Sequence, residues 1–322
     1  MKIKKPTLIS ILFAISMSIT LFIVIMSTIP DTTFINHKSF YSQVLLGKKV
    51  FILGSSHVYA LNTTIIQNTI AQHGLEYTVY NLGQGSDDPE ARLRTIDYII
   101  SQKPDIVIYG IGFRDFESSG RSTLEKPNTV LPEPPRLSEV ITPLEERLDL
   151  SILKNPKFAM IRTINDLTRS PDKILAEDNL PRVYPNTPFF PYYVKATISA
   201  DPSYLERTET IDKLGEILPY EKNLNVKAFK QILKKLEENN IKTIVFTTPH
   251  TKSWLAHQSD HQKQTFYSIL EHISSEFDFH IYYLHNKHTE MDIWENHNHL
   301  VVSQKTNFYS EEIASMIVES EL

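Results

Sequence analysis

Five short runs rich in β-branched and aromatic residues, at 50–53, 77–82, 106–109, 243–247 and 280–284, alternate with helical patterns at 58–72, 89–101, 225–239, 260–275 and 304–319. Strands that alternate with helices of about ten to fifteen residues build βαβ units, and the resulting parallel sheet needs helices on both faces. The expected fold class is therefore α/β, a three-layer α/β/α sandwich around a five-stranded parallel sheet. With 322 residues and 41% hydrophobic composition, the chain can bury a sizeable core.

The rhythm is lost between 116 and 224, where most of the 18 prolines fall, so this stretch reads as an irregular or partly helical insertion after the third strand. It leaves the sheet at the carboxyl end of that strand, where it can build a lid or a partner surface. Within it, Tyr184, Phe189, Phe190, Tyr192 and Tyr193 lie among prolines. Such a stiff aromatic loop either lines a groove for sugar or acyl chains or staples itself onto the domain.

Residues 8–29 carry no charge and follow Lys2, Lys4 and Lys5. The run is long enough to span a bilayer, exceeds the apolar core of a signal peptide and ends without a small-x-small cleavage site. It is expected to be an uncleaved transmembrane anchor, with the N-terminus cytoplasmic and the C-terminal bulk extracytoplasmic. The expected organisation is then a tip and anchor at 1–30, a stalk at 31–47 and an α/β domain at 48–322. Cysteine is absent, which excludes disulfides and thiolate metal sites. A net charge of −5 leaves no basic footprint for nucleic acid. The triplet Asn62-Thr63-Thr64 fits a glycosylation sequon but lies in an expected helix, and it reads as incidental.

The first strand runs Val50-Phe51-Ile52-Leu53 into Gly54-Ser55-Ser56-His57 and then directly into a helical pattern. An open α/β sheet binds its ligands there, outside the carboxyl ends of its strands. The glycine permits a turn that a Cβ resists, and the following helix start aims N–H groups at whatever occupies the site. Three further segments sit at comparable places. The second strand ends in Gly83-Gln84-Gly85-Ser86, the third in Gly110-Ile111-Gly112-Phe113-Arg114-Asp115, and Asn296-His297-Asn298-His299 stands just before the last helix.

In their order these four blocks resemble the SGNH, or GDSL-type, hydrolases. The resemblance spans about 48–115 and 225–319. It implies Ser56 as nucleophile, with Ser55 in place of the family's aspartate, and His299 as general base. It also implies an oxyanion site from the N–H of Ser56 and from the turn at Gly85 or Ser86. Two departures stand out. Asn296 occupies the position of the acid three residues before the histidine, with Asp292 and Glu295 as nearby carboxylates. Arg114 replaces the asparagine that donates to the oxyanion; it can itself donate there, with a full charge, or point into the insertion to hold a carboxylate or phosphate. An amide can orient an imidazole, but it cannot balance an imidazolium.

The expectation is a membrane-tethered serine esterase or O-acyltransferase acting on cell-envelope carbohydrate or glycolipid, with no metal and no cofactor. The competing expectation is a surface-binding or scaffold protein that keeps the fold and has lost the chemistry, as Asn296 and Arg114 would suggest. Nine of the 12 histidines fall at 250–299. His257 with His261 and His297 with His299 have feasible zinc spacings, yet no His-Glu-x-x-His pattern accompanies them. His250 ends the fourth strand on the same sheet edge, either near substrate or simply bonded within a loop. His57 adds an imidazole beside Ser56 whose direction the sequence does not give.

Overall fold

The computed structural model describes residues 17, 40–85, 87–117, 184–190, 199–201, 203, 205, 214–277 and 279–321. The chain falls into two units, Met1–Lys38 with Thr129–Asn179, and Ser39–Asn128 with Leu180–Leu322. In the first, Met17 is the one described residue, helical and exposed. Apart from it, the expected span at 8–29 lies outside the described residues. Among those described, no helix is long and apolar enough to cross a membrane.

The second unit is a three-layer α/β/α sandwich. Its strands are β1 (Lys49–Leu53), β2 (Thr78–Asn81), β3 (Ile106–Ile111), β4 (Lys242–Thr247) and β5 (Ile281–Tyr283), all parallel in the order β2-β1-β3-β4-β5. The helices are α1 (Thr63–Gln72), α2 (Pro89–Leu93), α3 (Ile96–Ser101), α4 (Leu224–Glu238), α5 (Lys252–His257), α6 (Asp260–Phe277) and α7 (Asn307–Glu321). Strand parity splits the core. Val50 and Ile52 of β1 join Ile106, Ile108, Ile244 and Phe246 against Ile66 and Ile70 of α1 and Tyr309, Ile313 and Ile317 of α7. Phe51 and Leu53 join Val107, Tyr109 and Val245 against Phe229, Ile232 and Leu236 of α4 and Phe266, Ile269 and Ile273 of α6. Each fully buried side chain of this size contributes roughly 1.5–3 kcal/mol.

The strand order reverses between β1 and β3, which opens a crevice beyond their carboxyl ends. The Gly54-Ser55-Ser56 turn leaves β1 there. Gly54 has φ +145, and a Cβ on it would lie 2.8 Å from the Gly110 carbonyl and 2.9 Å from Val58. Only glycine fits this crossing of β1 and β3.

Two expected helices are cut differently. The first is a short 3₁₀ turn at Ser56–Val58 followed by α1, because the Asn62 side chain accepts the N–H groups of Thr64 and Ile65 and starts the helix afresh. The sequon asparagine is thus a helix cap. The pattern at 89–101 divides into α2 and α3, where the Thr95 hydroxyl donates to the Arg92 carbonyl and competes with the helical ladder. A two-stranded hairpin, β6 (Trp294–Asn296) with β7 (His299–Leu300), and the short α5 were not expected.

The described part of the aromatic loop covers the open edge of β2. Asn81 donates its backbone N–H to the Asn186 carbonyl at 2.9 Å, and the Asn186 amide donates to the Val79 carbonyl. Tyr184, Phe189 and Phe190 are buried. Over 184–190 the loop is therefore a staple, while Tyr192 and Tyr193 lie outside the described residues. Phe40, in the expected stalk, packs against Phe51, Tyr80 and Phe189 and belongs to the core.

Candidate active site

Ser56 begins the 3₁₀ turn after β1, half-buried at the mouth of the crevice. The β6–β7 hairpin supplies its partner. The two-residue link His297-Asn298 places Asn296 directly across from His299 in the antiparallel register. The Ser56 hydroxyl lies 2.7 Å from His299 Nε2, and His299 Nδ1 lies 3.0 Å from Asn296 Oδ1. Residues 243 positions apart are joined in one hydrogen-bonded line.

The direction of that line follows from the backbone. Asn296 Oδ1 accepts the N–H of Asn298 at 3.1 Å and that of His299 at 3.0 Å, so the amide oxygen, not the nitrogen, faces the imidazole. His299 Nδ1 must then carry a hydrogen and donate it. Nε2 is left with its lone pair toward Ser56, as a proton acceptor requires.

The nearby carboxylates are elsewhere. Asp292 is exposed and pairs with Lys305 at 3.1 Å. Glu295, between buried Trp294 and half-buried Asn296, is also exposed.

Among the turn donors after β2, the Gly83 N–H goes to Asn81 Oδ1 and that of Gln84 to the Gly54 carbonyl. Gly85 is exposed, and no hydrogen bond of its N–H is made among the described residues, while Ser86 lies outside them. The turn also holds a group that sequence reasoning missed. The Gln84 amide nitrogen is buried without a hydrogen-bond partner among the described residues. A buried donor of this kind is costly unless something accepts from it.

Arg114 follows β3, 3.6 Å from Glu117, and its charge reaches the site, where it helps to depress the pKa of both His57 and His250. Asp115 beside it is buried and accepts the Gly112 N–H at 2.5 Å. Burial pushes its carboxyl up to about 8, against the lowering effect of that bond.

The histidines divide sharply. His257 and His261 are exposed on α5 and α6, and among the described residues no group of three or more metal-binding side chains is placed to hold an ion. His250 is fully buried, stacked on Trp254 at 4.5 Å and edge-on to Phe113. Burial holds it well below the ordinary imidazole range, with His285 and His299 adding to the effect. It belongs to the floor of the site rather than its opening. His57 is buried with Nδ1 2.7 Å from the Ser55 hydroxyl, and its ring lies parallel to His299 at 4.6 Å and 16°.

A half-buried hydroxyl facing an imidazole lone pair, with the imidazole anchored from behind, can deliver an alkoxide-like attack on an acyl carbon. No protein-family model matches the chain, and no curated protein matches it. Similar solved structures include that of TesA, 8% identical with a TM-score of 0.45 over 85% of this chain and 100% of that one. Another is the acetyl xylan esterase AlAXEase, 10% identical with a TM-score of 0.39 over 85% of this chain and 100% of that one. A third is the psychrotrophic esterase EstA from Pseudoalteromonas sp., 10% identical with a TM-score of 0.38 over 85% of this chain and 98% of that one.

Proposed function

We propose that this chain is a serine esterase or O-acyltransferase of the SGNH type, acting through an acyl group carried on Ser56. The observation that carries the reading is the hydrogen-bonded line Ser56–His299–Asn296, with the His299 tautomer fixed by the backbone bonds to Asn296. His299 takes the hydroxyl proton as Ser56 Oγ attacks the ester carbonyl. The N–H groups of Ser56 and Gly85 then receive the negative charge on the carbonyl oxygen. Collapse of the tetrahedral intermediate expels the alcohol, which takes its proton from His299. Water or a sugar hydroxyl, activated in turn by His299, releases the acyl group. Hydrolase and transferase share every residue up to that step.

The uncharged run at 8–29 with its preceding lysines supports a membrane-tethered enzyme whose domain is extracytoplasmic. In that setting the acyl groups of cell-envelope carbohydrate or glycolipid are the substrates within reach. The orientation is checked by adding protease to intact cells or spheroplasts, which should degrade the chain beyond about residue 30.

Activity is tested on the full chain in detergent with a fluorophosphonate probe and with p-nitrophenyl acetate. The wild type should be labelled and should turn over the ester, Ser56→Ala should do neither, and His299→Ala should be slower by roughly a thousandfold or more. Equal behaviour of wild type and Ser56→Ala would replace the enzyme with the binding-protein reading.

A further inference from the structure

His57 follows the candidate nucleophile directly, yet the acyl-transfer steps above leave it idle. It is 6% exposed and fixed from three sides. The Ser55 hydroxyl holds its Nδ1 at 2.7 Å, His250 stands edge-on at 5.7 Å and 73°, and His299 lies flat on its face at 4.6 Å and 16°. We propose that His57 is a positioning residue for His299: a neutral ring whose π face fixes the plane of the His299 imidazole and stabilises the imidazolium formed when Ser56 gives up its proton. The proposal rests on the Ser56–His299 reading.

The physical case begins at Asn296. As an amide it fixes the tautomer of His299 but adds no charge to oppose the imidazolium. A cation within about 6 Å of an aromatic face is attracted by the ring quadrupole, more strongly when the pair is shielded from water. The parallel ring of His57 provides such a face, provided that it stays uncharged. A cation there would repel the one forming on His299.

Everything around His57 opposes its charging. Burial is the largest effect, and His299, His250, Arg114 and His297 act in the same direction, which together hold His57 well below the ordinary imidazole pKa. The partner at Nδ1 is a hydroxyl, which bonds a neutral ring without favouring its protonation. An aspartate at position 55, as the family pattern would have it, would instead draw a proton onto His57. The replacement by Ser55 and the stacked ring of His57 are therefore two parts of one arrangement.

The test compares His57→Leu, which fills the space without a π face, with His57→Phe, which restores one. Two readouts are taken on the full chain in detergent: the titration of His299 in histidine-labelled protein by NMR, and the pH profile of fluorophosphonate labelling. In His57→Leu the His299 pKa should fall by about half a unit to one unit, since the imidazolium has lost its support. The acidic limb of the labelling profile should move down by the same amount, and the plateau rate should drop about three- to tenfold. His57→Phe should lie between the leucine variant and the wild type in both readouts. An unchanged His299 pKa in His57→Leu, or equal shifts in the two variants, would overturn the proposal, because loosened packing alone lowers the rate without moving the limb. Expected pKa shifts in a chain that never reacts with the probe would uphold the ring pairing and overturn the enzymatic reading instead.

Discussion

One oxygen atom of Asn296 takes three hydrogens: the backbone N–H of Asn298, the backbone N–H of His299 and the ring Nδ1–H of His299, all within 3.1 Å. It shapes the hairpin and sets the tautomer of the imidazole at once. Asn296→Asp keeps all three acceptor contacts and adds a charge that stabilises the imidazolium. Turnover should be kept or raised, and the acidic limb of the kcat/KM profile should move to higher pH by roughly one unit. Asn296→Leu removes the acceptor and should cost on the order of a hundredfold or more in kcat. Asp292→Asn, which breaks only the exposed pair with Lys305, should change turnover less than twofold.

On the proposed esterase reading, the buried amide of Gln84, in the turn after β2, is a further candidate donor to the oxyanion beside the Ser56 and Gly85 N–H groups. Its nitrogen finds no acceptor within the described residues, and its backbone is tied to the Gly54 carbonyl at 3.1 Å, at the entry to the Ser56 turn. Gln84→Ala should lower kcat about ten- to hundredfold with little change in KM, because the bond would form only as charge develops on the ester oxygen. Gln84→Glu, with an acceptor in place of the donor, should be slower still. Equal KM increases with an unchanged kcat would assign the residue to ground-state binding.

Where the sequence carries a periodic signal, it is legible. The run 50–53 becomes β1 within one residue, and 106–109 becomes β3, which continues through Ile111, since apolar strands buried on both faces have no competing pattern. Ser56, His299 and Asn296 were also within reach, through block order, and the structure brings the three together. What stayed hidden depends on direction. Whether His57 points toward solvent or lies on His299 is set by the 3₁₀ turn and the distant hairpin, neither of which has a local signature. The hairpin itself, only a few residues long, is too short to show alternation. The break between α2 and α3 comes from a single Thr95 hydroxyl bond. The Arg92–Asp87 ion pair, its side chains 0% and 5% exposed, has no signature in the sequence.

Gly54 carries the Ser56 turn across the neighbouring strand β3. Gly54→Ala would place a methyl 2.8 Å from the Gly110 carbonyl and 2.9 Å from Val58, at φ +145. The obstructing oxygen belongs to the neighbouring strand and cannot move aside without parting β1 from β3. A loss of roughly 1–3 kcal/mol or more in unfolding free energy is expected by chemical denaturation. Probe labelling of Ser56 should fall in step.

Two buried groups should pull the stability of this chain in opposite directions with pH. His285 bonds the Thr247 hydroxyl through Nδ1 and the Tyr267 hydroxyl through Nε2, and burial lowers its pKa to about 4. Below about pH 6.5 the unfolded chain takes up a proton there that the folded chain refuses, so this residue weakens the fold as pH drops toward 4. Asp115 acts the other way. With its carboxyl pushed up to about 8, the folded chain keeps a proton that the unfolded chain releases near pH 4, so its contribution is lost as pH rises from 4 to 8. Comparing variants with wild type separates the two. From pH 8 to pH 5, His285→Gln should gain about 2 kcal/mol relative to wild type, and from pH 5 to pH 8 Asp115→Asn should gain about 3–4 kcal/mol. Urea midpoints measured at both pH values for the three proteins read these differences directly. Parallel curves for wild type and Asp115→Asn would mean that Asp115 ionises in the folded chain as freely as in the unfolded one.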